Sequence, residues 1–364
     1  MIEGYEKSLS LHLKRHIASS IMNPFRHHLV RGSILLLSLT ASSAISAEER
    51  EVSVTNPSDG VKLGATLSNP SGNPKAAILL ATGSGPQNRD EEIMGLRPFK
   101  VLSDSLTAAG YAVLRMDDRG TGSSGGDFQT ATAADFLSDL KSGIAFLDSC
   151  YTSLPKGIIG HSEGGQFAIR IAAETKAIST SSPDFIITLA APAWRGDSLI
   201  MSQARALSTA MTGSWPMEGM QREILDIARG PLPVSIASPM LYGIFAKNLG
   251  SAVQMPQVQQ QITAQVGAVL SPYYRELLRF DPESSIKSVT VPWLALNGDK
   301  DFQVVPENLD TIRQLNPKAN AIRVKGHNHL FQEATTGLPQ EYSGLGQSPS
   351  PETIAIIIRW LGQL

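Results

Sequence analysis

The sequence predicts an α/β fold, in which helices flank a mostly parallel sheet and a helical insertion interrupts the alternation. Three observations support this prediction. Short apolar runs alternate with helical stretches along most of the chain, which is typical of strands covered by helices on both faces. One glycine-rich turn joins a predicted strand directly to a helix. A stretch of about 95 residues near the middle has no clear strand, which is too long for a plain loop.

The elements before the insertion follow from local patterns. The turn Pro57-Ser58-Asp59-Gly60 separates two short alternating strands, and Gly110 is a typical helix terminator after an amphipathic stretch. Continuous apolar runs mark the later strands as buried ones. The pattern predicts strands at 51–56, 61–68, 76–81, 111–116, 157–159 and 185–190, and helices at 97–109, 133–150 and 165–175.

Residues 193–288 are predicted to form a helical cap. They contain six of the ten methionines and a glutamine-rich stretch, and no strand pattern interrupts them. The alternation then resumes, with strands at 291–296 and 321–324 and helices at 306–315 and 352–361. The predicted core therefore comprises 48–192 together with 289–364.

The first 47 residues are predicted to be a leader outside the fold. A basic flank precedes a short apolar run at 34–39, and small residues follow up to Ala47. This order is typical of a secretory signal peptide, and the run is shorter than the roughly 20 residues of a permanent membrane anchor. We expect cleavage near Ala47 and a periplasmic or secreted mature protein. The sequence leaves open whether translation starts at Met1 or at Met22.

Composition excludes several classes of protein. The 364 residues are 42% hydrophobic and 18% charged, which is ordinary for a globular protein and unlike a disordered or collagen-like chain. A net charge of −2 gives no electrostatic reason to expect a nucleic-acid partner. The single cysteine, Cys150, excludes an intramolecular disulfide and a thiolate-rich metal site, and we expect it to be buried in a helix.

The glycine-rich turn, Gly160-His161-Ser162-Glu163-Gly164, has the pattern Gly-x-Ser-x-Gly between a strand and a helix. Such a turn is tight and strained, and it lifts one hydroxyl clear of the sheet. The first amides of the following helix then point toward a developing oxyanion. Ser162 is therefore the predicted nucleophile.

A serine nucleophile needs a base, usually a histidine held by a carboxylate. Without the leader, only His161, His327 and His329 remain, and the side chain of His161 is expected to diverge from that of the neighbouring Ser162. Asp299 and Asp301 follow the strand 291–296, at the sheet edge where open α/β folds place their ligand sites. Spacing alone does not distinguish Asp299 from Asp301, or His327 from His329.

These motifs resemble those of the α/β-hydrolase superfamily, and within it the secreted or periplasmic serine carboxylesterases of the EstD type. The resemblance implies Asp301 as the acid, because Gly-x-x-Asp-x-x-Val falls on 298–304, and His329 as the base, because Asn-His-Leu-Phe falls on 328–331. It also implies an oxyanion hole made by the amides of Ser84 and Glu163, with Gly83 as the alternative to Ser84. The segments that carry the resemblance are 82–90, 117–124, 160–165, 297–304 and 328–332.

The predicted reaction is cleavage of a carboxylic ester by a Ser-Asp-His triad through an acyl-enzyme. A serine aminopeptidase or a thioesterase on the same scaffold is the alternative, and a non-catalytic binding module is the alternative from another class. The expected partner is a small-molecule ester. We expect no cofactor and no metal, since the pair His327-x-His329 has no supporting ligands nearby in the sequence. The oligomeric state stays open.

Overall fold

A computed structural model describes residues 48–174 and 182–364 of the chain. The predicted leader, its cleavage position near Ala47 and both candidate start positions lie outside the described residues. In the described part, eight strands form one sheet in the order β1-β2-β4-β3-β5-β6-β7-β8. The strands are β1 (Glu48–Thr55), β2 (Lys62–Asn69), β3 (Ala77–Ala81), β4 (Ala112–Met116), β5 (Lys156–His161), β6 (Phe185–Leu189), β7 (Trp293–Gly298) and β8 (Asn320–Val324).

The sheet is parallel from β4 to β8 and antiparallel only where β2 joins β1 and β4. The mostly parallel α/β fold predicted from the sequence is therefore confirmed. Strands β3 to β7 are buried along their whole length, as expected for strands with helices on both faces. Because parallel strands end at the same edge, the loops after β3, β5, β6, β7 and β8 meet there.

Helices cover both faces of this sheet. On one face α1 and α11 pack through an apolar cluster that includes Phe99, Leu106 and Ile357. On the other face α2, α3 and α10 pack through a cluster that includes Phe136 and Leu309. These helices are α1 (Pro98–Ala108), α2 (Ala133–Cys150), α3 (Glu163–Ala173), α10 (Glu307–Leu315) and α11 (Pro351–Leu361).

Only helices lie between β6 and β7, where the cap was predicted, and the structure describes all of residues 193–288. Ile224, Leu241 and Ile262 form an apolar cluster within this segment, separate from the two clusters on the sheet, whereas Ile286 belongs to the sheet's own core. The limits of the cap as a domain stay a prediction. Its helices are α4 (Gly196–Thr212), α5 (Glu218–Arg229), α6 (Val234–Leu249), α7 (Pro256–Val269), α8 (Pro272–Arg279) and α9 (Glu283–Ser288).

Two features complete the comparison with the sequence. Cys150 is exposed, so the expectation of a buried cysteine is wrong: it is the last residue of α2, where the helix reaches the surface. No helix among residues 48–174 and 182–364 has the length and apolar character to cross a membrane.

Candidate active site

Ser162 occupies a strained turn between the end of β5 and the start of α3. Its φ is 51°, in the left-handed region that non-glycine residues seldom adopt. The turn is tight because a Cβ at Gly160 would lie 2.2 Å from the carbonyl oxygen of Gly164, and a Cβ at Gly164 would lie 2.1 Å from that of Ala81. The Ser162 amide donates to the carbonyl of Leu189 over 2.8 Å, which fixes the turn against β6.

Asp301 and His329 lie side by side at the same edge of the sheet, on the loops after β7 and β8. Nδ1 of His329 donates to Oδ2 of Asp301 over 2.8 Å, and both side chains are buried. The other carboxylate oxygen, Oδ1, accepts the amides of Gln303 (2.8 Å) and Val304 (2.9 Å). Because the carboxylate can only accept, the proton of neutral His329 lies on Nδ1, and Nε2 keeps its lone pair.

The other members of the two pairs have different partners. Asp299 is exposed, and its Oδ1 accepts the amide of Gly326 over 2.6 Å. The ring nitrogens of His327 lie 2.8 Å from the carbonyl of Lys325 and 2.7 Å from the hydroxyl of Ser350. The structure therefore brings together Asp301 and His329, whereas Asp299 and His327 bind other partners.

One grouping of possible metal ligands occurs among the described residues, formed by His327, Glu333 and Glu352. Both glutamates are exposed, and both ring nitrogens of His327 already have hydrogen-bond partners. A metal ligand must offer a free lone pair, so His327 in this arrangement offers none.

His161 connects the Ser162 turn to the His329 loop. Its Nε2 donates to the carbonyl of His329 over 3.0 Å, and the two rings are 4.7 Å apart between centroids. Its Nδ1 lies 2.9 Å from Oε1 of Glu91. Because His161 is the residue next to Ser162, these contacts place the Ser162 turn beside the loop that carries His329. Among the described residues the Ser162 hydroxyl has no hydrogen-bond partner of its own.

Two buried residues here were missed by sequence reasoning: Glu91, and His161 as a contact of the His329 loop. Desolvation alone would lower the pKa of His161, but the charge of Glu91 and its hydrogen bond outweigh that effect and raise the pKa. Glu91 gave no signal in the sequence because it is one of three consecutive acidic residues. Only its burial distinguishes it from its exposed neighbour Glu92.

The amides predicted to form the oxyanion hole lie on two elements. Ser84 belongs to the loop after β3, defined here as the oxyanion loop (residues 82–86), and Glu163 is the first residue of α3. In the described part of the chain, neither amide has a hydrogen-bond acceptor. The amide of Gly83, the alternative to Ser84, already donates to Oε1 of Glu91 over 2.7 Å.

A partly buried carboxyl, that of Asp118, supports the oxyanion loop. Asp118 accepts the hydroxyl of Thr82 (2.8 Å) and the amide of Gln87 (3.0 Å). Desolvation raises the pKa of Asp118 to about 7, against the effect of these two hydrogen bonds.

A second carboxyl, that of Glu163, is buried and links the Ser162 turn to the cap. The hydroxyl of Tyr273, on α8, donates to Oε2 of Glu163. Desolvation raises the pKa of Glu163 to about 7, while the bond from Tyr273 acts in the opposite direction. The cap is thus attached to the first residue after Ser162.

An apolar groove of about 450 Å³ lies beside the Asp301 loop. Ile200 and Leu207 of α4 form its cap side, and Ile93, Met94 and Phe302 line the opposite side. Phe302 directly follows Asp301, so the groove adjoins the site rather than a distant surface. An apolar part of a ligand fits this lining.

Arg119 has a structural environment. It is buried, and its guanidinium makes two hydrogen bonds of 2.7 Å to the carboxylate of Asp139 on α2. This two-point pairing holds the glycine-rich loop after β4 against the helix layer. The glycine-rich loop therefore has a structural role. The guanidinium of Arg119 is already paired and is not free to bind a phosphate.

Comparison with known proteins agrees with this fold. A family model described as "Serine aminopeptidase, S33" matches residues 97–325. The chain belongs to this family. The match includes Ser162 and Asp301 and ends just before His329. Together with the sheet order, it makes the protein a hydrolase of the α/β-hydrolase type.

Individual relatives are more distant. The chain is 24% identical to Esterase EstD of Thermotoga maritima over 321 residues, which are 87% of this chain and 68% of that protein. The resemblance to α/β-hydrolase esterases of the EstD type is thereby confirmed. An esterase structure from Pyrococcus furiosus has a TM-score of 0.55 at 17% identity, covering 93% of this chain and 99% of that one. A proline iminopeptidase structure from Mycobacterium smegmatis has a TM-score of 0.51 at 14% identity, covering 86% and 98%. These two structural similarities show the fold alone.

Proposed function

We propose that the protein is a carboxylesterase in which Ser162 is the nucleophile, His329 the general base and Asp301 the acid that orients the base. The observation that carries the proposal is the 2.8 Å hydrogen bond from His329 to Asp301, beside a serine held at positive φ. That bond leaves Nε2 of His329 as a proton acceptor, which is the state a general base requires.

The reaction follows from this arrangement in two steps. Nε2 of His329 takes the hydroxyl proton as Ser162 Oγ attacks the ester carbonyl, and Asp301 stabilises the imidazolium that forms. The amides of Ser84 and Glu163 donate to the oxyanion of the tetrahedral intermediate. The imidazolium then protonates the leaving alcohol. Water, activated by the same histidine, hydrolyses the acyl-enzyme.

The cap favours an ester over a peptide with a free amino terminus. An aminopeptidase needs an unpaired carboxylate to bind the substrate amine, and two acids of the cap, Asp197 and Glu218, are paired with arginines instead. Asp197 pairs with Arg195 (2.7 Å) and Arg229 (3.0 Å). Glu218 pairs with Arg222 over 2.9 Å. The apolar groove beside Asp301 suits an uncharged, apolar ester, and the name of the relative EstD points the same way.

The decisive experiment uses the purified full-length chain, a fluorophosphonate probe and nitrophenyl esters of increasing acyl length. We expect the probe to label Ser162 and the esters to be hydrolysed, and we expect Ser162→Ala to abolish both. Amino-acid nitroanilides and acyl thioesters test the two alternative substrate classes in the same assay. A wild-type protein that neither reacts with the probe nor hydrolyses any ester would overturn the proposal.

We further propose that the protein is exported to the periplasm or secreted, on the strength of the leader pattern at 1–47. Fractionation of the host cell, followed by N-terminal sequencing, tests this. A mature chain beginning near residue 48 is the expected result. Uncleaved protein found only in the cytosol would contradict it.

A further inference from the structure

A single buried carboxylate connects three segments of the site. Oε1 of Glu91 accepts the amide of Gly83 over 2.7 Å and lies 2.9 Å from Nδ1 of His161. Nε2 of the same imidazole lies 3.0 Å from the carbonyl of His329. The contacts therefore run from the oxyanion loop, through Glu91 and His161, to the loop that carries the proposed base.

Geometry determines the protonation of His161. A backbone carbonyl only accepts, so Nε2 must carry a proton to bond with the His329 carbonyl. Oε1 of Glu91 already accepts an amide and is an acceptor for Nδ1 as well. Both ring nitrogens therefore carry protons, and His161 is an imidazolium paired with a carboxylate.

The surroundings of His161 agree with this charge. The ring of His329 and the carboxylates of Glu91 and Asp301 are the titratable groups that act on it. Both carboxylates raise the pKa of His161, against the desolvation of a buried ring. Removing the charge of Glu91 would leave an imidazolium without its nearest counter-ion in a buried position, which is costly.

Glu91 carries two unfavourable features that a purely structural surface residue would not need. Its φ is 52°, in the left-handed region, and its second oxygen, Oε2, is buried without a partner among the described residues. Strained backbone and unsatisfied buried groups occur mainly where surrounding contacts enforce them, most often beside functional sites. Here the enforcing contacts are the two at Oε1.

We propose that Glu91 and His161 are positioning residues, forming a buried ion pair that fixes the oxyanion loop and the His329 loop relative to each other. The inference rests on the proposed function, because it assigns these residues a role in that same reaction. Gly83 precedes Ser84, so a shift of Gly83 moves the Ser84 amide relative to the substrate oxyanion. The pair acts through these neighbours and touches no reacting atom.

Three substitutions in the full-length chain separate the two contacts of His161. An asparagine amide approximates Nδ1, so His161→Asn keeps the contact to Glu91 and loses the one to His329. A glutamine amide approximates Nε2, so His161→Gln keeps the contact to His329 and loses the one to Glu91. Glu91→Gln keeps an acceptor for Gly83 and removes the counter-charge. The control is Glu92→Gln, which removes a neighbouring exposed carboxylate.

Misplacement of catalytic groups by a fraction of an ångström lowers turnover more than binding, so we expect kcat to fall about 10- to 100-fold in the three variants. We expect KM to stay within about twofold, and the Glu92→Gln control to match the wild type. Nitrogen NMR of the wild-type His161 ring at pH 7, which needs no variant, should show both nitrogens protonated.

Two results would overturn the inference. One is a neutral His161 ring in the wild-type protein at pH 7. The other is a set of folded variants whose kcat stays within twofold of the wild type. Labelling of wild-type Ser162 by the fluorophosphonate probe keeps this test separate from that of the proposed function. If the wild type is labelled and the variants turn over normally, the positioning role alone has failed, whereas an unlabelled wild type means that the proposed function has failed.

Discussion

Replacing Asp301 by asparagine changes the chemistry of His329 with almost no change in shape. Oδ1 of Asp301 accepts the amides of Gln303 and Val304, and only an oxygen can keep both bonds. The asparagine oxygen therefore stays at that position, and its NH2 group faces Nδ1 of His329. The NH2 group donates, so Nδ1 must become the acceptor, and the proton of His329 moves to Nε2.

A histidine protonated on Nε2 cannot accept the proton of Ser162. The same aspartate-to-asparagine replacement in a serine-protease triad lowers kcat about 10⁴-fold for this reason. We expect a loss of about that size in Asp301→Asn, equivalent to roughly 5.5 kcal/mol of transition-state stabilisation. The two backbone bonds persist and only the long 3.4 Å hydrogen bond from Asn297 to Oδ2 is lost, so the free energy of unfolding should change by about 1 kcal/mol.

The matched control is Asp299→Asn. Asp299 is exposed and accepts one amide, from Gly326, which an asparagine oxygen also accepts. We expect its kcat to stay within about threefold of the wild type. Steady-state hydrolysis of a nitrophenyl ester measures both variants, and urea denaturation checks that both are folded. A larger loss in Asp299→Asn, or an Asp301→Asn enzyme within tenfold of the wild type, would refute the assignment of Asp301.

Three further predictions concern stability. Ser162→Gly should remove activity yet raise the free energy of unfolding by about 1 kcal/mol in urea denaturation, because glycine adopts positive φ without strain; Ser162→Ala should show no gain, and an equal gain there would argue against backbone strain. Gly164→Ala should lower the free energy of unfolding by about 3 kcal/mol or more, since its Cβ would lie 2.1 Å from the Ala81 carbonyl oxygen. A loss below about 1 kcal/mol would contradict this close approach. The pKa of Glu163 is raised to about 7 in the folded state. The contribution of the protonated carboxyl to the free energy of unfolding is therefore complete below pH 4.5 and is lost as the pH rises through 7. Glu163→Gln should therefore reduce the fall in unfolding free energy between pH 5 and 8, by up to the order of 3 kcal/mol, and an unchanged pH dependence would count against it.

The turn at Ser162 could be predicted because its sequence requirements are local. Only glycine fits at Gly160 and Gly164, where a Cβ would meet backbone atoms, so the pattern itself reports the geometry. The strands β3 to β7 were equally predictable, since burial on both faces demands continuous apolar runs. Predicted and observed strand ends differ by no more than three residues because pairing, rather than composition, determines where a strand stops.

The choice between neighbouring side chains could not be made from local sequence. Asp299 and Asp301 are two residues apart, and the loop backbone directs one to the Gly326 amide and the other to His329. The role of Glu91 was equally hidden, because the partners of one acidic residue in a run of three depend on segments distant in the chain. Tertiary contacts of this kind have no signature in a single sequence.

The bond between Tyr273 and Glu163 is one of the contacts between the cap and the segment that carries Ser162. The cap otherwise has its own apolar cluster, and the paired strands β6 and β7 hold the two ends of the insertion together without it. Exchange of cap sequences while Tyr273 is retained is therefore a practical route to altered ester selectivity. Libraries confined to 200–270 would diversify the cap side of the apolar groove while leaving Leu199, which packs in a cluster on the sheet, and the loops of Ser162, Asp301 and His329 unchanged.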